Sequence, residues 1–153
     1  MNTPDVLKYG NQTVQQALAG LPDEAWQASG VCGVWSVKDI IAHLTSYEAI
    51  LCDLLKSFVD GGPPPQSLRK LRDNDAEVAL RKEKTVQEVL AEYNEAHAQV
   101  MALAAQIPAE TLRQTGTIPW YGMEYALDDF VVYAYYGHKR EHCAQIAVYR
   151  DTL

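Results

Sequence analysis

The stretch WSVKDIIAHLTSYEAILCDLLKSFVD, from Trp35 to Asp60, constrains the fold more than any other part of the chain. Ser36 is followed three residues later by Asp39, the pattern in which a hydroxyl and a carboxylate cap each other's backbone N–H groups at a helix start. Ile40, His43, Tyr47, Ile50/Leu51 and Leu54 then recur at intervals of three and four. One face of this helix is therefore apolar and needs other elements to cover it. The helix runs on until DGGPPP, whose glycines and prolines cannot continue it.

A helix of that length needs partners of comparable length, and the sequence supplies three. The first begins near Thr3-Pro4, a cap residue followed by proline at the first helical position, and runs to Gly20, with Gly10 weakening its middle. The third opens at Thr85 with Glu88 three residues on, and VQEVLAEYNEAHAQVMALAAQI carries it to Pro108. The fourth starts about Leu127-Asp128-Asp129 and runs almost to the end. Its inward stripe is Leu127, Val131, Ala134/Tyr135, His138, His142 and Ile146/Tyr149. Residues 68 to 84 read as an irregular or partly helical crossover, and TGTIPWYGMEYA, residues 115 to 126, as a loop or small hairpin. Strand patterns are almost absent. The expected fold is an all-α four-helix bundle with a long crossover between the second and third helices, one domain over residues 1–153.

GHKREHCAQI, residues 137 to 146, gives that last stripe a chemical meaning. Four helical residues turn the chain just past one revolution, so His138 and His142 lie one above the other at a spacing suited to sharing a metal ion. His43 lies on the apolar stripe of the second helix. A single inward histidine is ordinarily a satisfied core residue; three on two inward stripes point to one site. A neutral three-histidine set suits Zn²⁺, Ni²⁺ or Fe²⁺ and leaves positions for water or a thiolate, whereas structural zinc normally takes four protein ligands.

The segments WSVKDIIAHLTSYE (35 to 48) and GHKREHCAQI resemble the two signature segments of the DinB-like superfamily of metal-binding four-helix bundles. The resemblance implies that His43, His138 and His142 are the metal ligands, with Gln145-Ile146 as the family's close to the motif. It also implies a metal-dependent enzyme acting on a small electrophilic molecule by thiol transfer, isomerisation or hydrolysis, with a low-molecular-weight thiol as a candidate co-substrate. Mycothiol-dependent maleylpyruvate isomerase and bacillithiol S-transferases are members of that superfamily. A related branch, similar to colibactin self-resistance proteins, shares WSVKDIIAHL and the style of EVLAEYNEAHAQ but tends not to keep all three histidines. The other reading is accordingly a non-catalytic small-molecule-binding bundle with a structural metal, and a third is a metal-free domain whose apolar faces form a homodimer.

The remaining residues take plainer expectations. His97, between Glu95 and Gln99, is expected on a helix surface or bundle edge. Asp39 stabilises its helix start or orients His43 from one turn away. Tyr135 is a core residue or a hydrogen-bond partner for solvent at the metal, and Cys143 a small buried side chain rather than a nucleophile. Trp120 and Tyr121 form an aromatic lip over a pocket or simply pack their loop, and Trp26 and Trp35 cover the bundle end. Three cysteines without a close pair fit a reducing compartment. No secretory pattern or membrane span is visible, so the cytoplasm is the expected location. A net charge of −7 disfavours nucleic acid, and the resemblance implies a small-molecule substrate as the partner.

Overall fold

The computed structural model describes residues 2–64 and 73–153, and among them the fold is all-α. Four long helical runs dominate. They are α1 (Thr3–Leu18), α2 (Val37–Val59), α4 (Val86–Ala104) and a final run made of α6 (Leu127–Val131), a π-helical turn (Val132–Tyr136) and α7 (Gly137–Arg150). Two short helices, α3 (Asn74–Ala79) and α5 (Ala109–Arg113), lie in the connections. No described helix is long and apolar enough to cross a membrane.

The caps explain where the helices start. Ser36 Oγ accepts from Asp39 N–H at 3.1 Å while Asp39 Oδ2 accepts from Ser36 N–H at 3.0 Å, so the capping box forms as its spacing predicts. Thr85 caps α4 by accepting from Glu88 N–H at 3.1 Å. At α1 the cap is one residue earlier than expected: Asn2 Oδ1 accepts from Asp5 N–H at 3.2 Å, and Thr3 is already helical. Of the expected crossover, residues 68 to 72 lie outside the described residues; the remainder is α3 followed by turns, partly helical as expected. The segment 115–126 makes a single bridge, Thr115 to Ala126, and no strand.

Two apolar clusters fill the interior. One gathers Val14 and Leu18 of α1, Ile40, Ile41 and Leu44 of α2, Val89 and Tyr93 of α4, and Ile146 of α7. The other gathers Leu7, Leu51, Leu54, Val100, Ala104, Leu127 and Val131. Each long run therefore has one end in each cluster. Read in chain order, α2 and α4 pass from the first cluster to the second, whereas α1 and the last run pass the other way. Two parallel neighbours need a long return connection, and residues 60 to 85 provide it, with Val78 of α3 packed back into the first cluster.

Between the clusters lies a buried polar layer. It takes His43 and Glu48 from α2, His97 from α4, and Lys139 and His142 from α7, and α1 adds the half-buried Asn11. Gly10 belongs to the same level, buried where α1 meets the last run: a Cβ there would stand 3.4 Å from the Tyr136 ring, in ordinary van der Waals contact.

Candidate metal centre

The second helix presents His43 from its first turns, and α7 presents His138 and His142 one turn apart. His43 Nε2 stands 3.0 Å from His138 Nε2, and His142 Nε2 stands 3.0 Å from the same atom. The donor atoms of all three lie within 4.8 Å of one another. The two 3.0 Å separations are of the size expected between donors that share one ion bonded at about 2.0–2.1 Å to each nitrogen.

The donor chemistry fits such an ion. Three imidazole nitrogens crowd one point, where their lone pairs repel unless a proton or cation lies between them. His142 Nδ1 is 2.8 Å from Gln145 Oε1, an oxygen that can only accept, so Nδ1 carries the proton and Nε2 keeps its lone pair for the centre. His43 Nδ1 is buried without a hydrogen-bond partner among the described residues. Burial, and then the neighbouring His138 and His142, hold the His43 imidazole down at about 3. Burial, then His142 and Lys139, lower His138 to about 4. Both rings are therefore neutral near pH 7, the form that binds metal.

Aromatic rings wall the cluster. Trp35 lies 4.9 Å from the His43 ring, and Tyr47 lies 4.8 Å from His43 and 4.5 Å from His138, centroid to centroid. Trp35 is anchored by its indole N–H, which donates to Asp75 of α3 at 3.1 Å. The profile of the DinB superfamily matches residues 7–146.

The chain belongs to the DinB superfamily. No curated protein matches it, and no solved structure matches it either. Several expectations resolve at this point. Cys143 is buried beside the centre, and burial pushes its thiol up to about 11, which suits a packing role. Asp39 serves its helix start and pairs with Lys82 at 3.3 Å. Tyr135 is buried against Tyr47 and Phe130. Trp120 and Tyr121 pack on Phe130 at 5.9 and 4.8 Å, so their loop packing is realised.

His97 is the correction. Expected at a surface or edge, it is 7% exposed, with Nδ1 3.4 Å from Glu48 Oε2. Its helical phase explains this, because His97 follows Tyr93 by four residues and precedes Val100 by three, on the buried stripe of α4. Glu95 and Gln99 are its neighbours in sequence and lie on other faces. Trp35, expected only to cover the bundle end, and Tyr47, expected only on an apolar stripe, wall the centre, and the buried Glu48 and Lys139 beside it had no assigned role in the sequence. A glutamate at 48 inside an otherwise apolar run was the available signal.

Proposed function

We propose that this DinB-superfamily protein is a metal-dependent enzyme whose His43, His138 and His142 hold one divalent transition-metal ion, Zn²⁺ or Ni²⁺ first and Fe²⁺ next. The observation that carries this is the convergence of three imidazole nitrogens from two helices. Such an ion supplies Lewis acidity, lowering the pKa of a coordinated water or thiol and polarising an electrophile. Three protein donors leave coordination positions for solvent and substrate, unlike a closed four-ligand site.

The chain's own residues do the rest. Gln145 fixes the tautomer and tilt of His142. Tyr47 and Trp35 pack against the ligand rings and restrict them to one orientation. Cys143, next to His142 in the chain, packs in the first apolar cluster and burial raises its thiol to about 11, so it is not the nucleophile of this reading. The attacking group is accordingly taken from outside, a water or a low-molecular-weight thiol, and the substrate is a small electrophilic molecule undergoing thiol transfer, isomerisation or hydrolysis. An acidic, small-molecule enzyme of this type would act in the cytoplasm, without nucleic acid or membrane as partner.

Elemental analysis of protein purified without a histidine tag tests the first half: about one metal ion per chain is expected, and metal-free protein that cannot rebind Zn²⁺ or Ni²⁺ refutes it. Co²⁺ substitution tests the second. A visible spectrum perturbed by added thiol or azide supports exchangeable positions, whereas an inert spectrum leaves the non-catalytic bundle with a structural metal.

A further inference from the structure

The two helices that carry the histidines are not each other's main packing partners: α2 packs chiefly on α4, and α1 on α7. Something else must set the rotation and axial register of α2 against α7. Beside the histidines, one ion pair crosses this seam. Lys139 Nζ lies 2.5 Å from Glu48 Oε1, with the carboxylate fully buried and the lysine side chain 4% exposed. Lys139 directly follows His138 in the chain, and Glu48 directly follows Tyr47, whose ring lies against His138.

Both members are held from a third helix. The other oxygen of Glu48 meets His97 Nδ1 at 3.4 Å, and Lys139 Nζ stands 5.6 Å above the Tyr93 ring, one turn before His97 on α4. Tyr93 in turn donates to Asn11 of α1 at 3.1 Å. A buried ion pair adds little net stability over apolar residues of the same volume, because desolvation offsets the attraction. What such a pair does supply is registry, since sliding or rotating either helix would leave a buried charge without its partner.

We propose that Glu48 and Lys139 are the positioning residues of the metal centre, fixing α2 against α7 so that His43 meets His138 and His142. Neither is a ligand. The inference rests on the metal-binding reading, and its test separates the two. Co²⁺ affinity, by competition with a chelator, and the visible spectrum of the Co²⁺ form are measured for the wild type, Glu48→Gln, Lys139→Met and the double variant. The double variant removes both charges without leaving either one orphaned, so it decides the matter should a single variant fail to fold. The expected result is a loss of affinity of at least ~10-fold, the size of effect seen when groups behind the ligands are removed. The double variant should be no worse than the more damaging single one, with an altered spectrum and wild-type helical circular dichroism. A folded double variant that binds Co²⁺ as tightly as the wild type, with the same spectrum, overturns the positioning role alone, even if its melting temperature falls. A wild-type chain that takes up no Co²⁺ overturns both readings.

Discussion

His43 Nε2 and His138 Nε2 stand 3.0 Å apart although 95 residues separate them along the chain. His142, one turn beyond His138, brings a third nitrogen to the same point. Replacing His43, His138 or His142 singly by alanine should each weaken metal binding at least ~10–100-fold, because two donors remain where three converged. His97→Ala should keep the ligands but destabilise the fold by about 1–3 kcal/mol, since it strips a partner from a buried carboxylate. Calorimetric metal titration and urea melts distinguish the two classes of effect; metal loss equal to that of His43→Ala in a folded His97→Ala protein would contradict the assignment.

Acid should destabilise the metal-free protein well above the usual carboxylate range. His43 and His138 are lowered from 6.5 to about 3 and about 4 in the fold, so between those values and pH 6.5 the unfolded chain binds more protons. Stability is therefore complete above about 6.5 and is lost as pH falls toward about 3. Glu48, held low by His97 and Lys139 against the opposing effect of burial, adds a loss in the same direction at the acid end. Melting temperatures of apo protein at pH 7.5, 6, 5 and 4 should fall steadily; a flat profile would show that the folded histidines titrate normally.

The π-helical turn just before His138 should be a tolerated insertion that keeps the histidines in phase with α6. Gly137 N–H bonds to the carbonyl of Val132, five residues back, so one residue more than a regular helix needs is accommodated between α6 and α7. Deleting the exposed Tyr133 should restore regular winding and leave α7 in phase with α6, because the turn already absorbs one extra residue. Helical circular dichroism and metal content should both persist, and a folded deletion variant that binds no metal would contradict this.

Thiol chemistry should be confined to Cys32. Burial raises the Cys143 thiol to about 11, and burial with the nearby Glu48 and Asp53 raises Cys52 to about 11. Iodoacetamide at pH 8 followed by mass mapping should label Cys32 at least ~10-fold faster than either, since the thiolate is the reacting form. Equal labelling of all three in the native protein would contradict it.

Local signals in the sequence determined the helices and two of the three donors' relative placement. Ser36 with Asp39, and Thr85 with Glu88, are short-range pairs whose hydrogen bonds close within one turn, so their outcome does not depend on the rest of the molecule. His138 and His142 are neighbours by helical geometry alone. His43 could be placed on an inward stripe, but its distance from the other two is a property of how α2 and α7 pack. The tertiary structure also decided His97 and Lys139. Charged and polar residues at 48, 97 and 139 satisfy one another only when three helices meet, and no single-helix pattern encodes that meeting. Their burial is tolerated because each side chain has an ionic or polar partner across a helix boundary, which offsets part of the cost of leaving water.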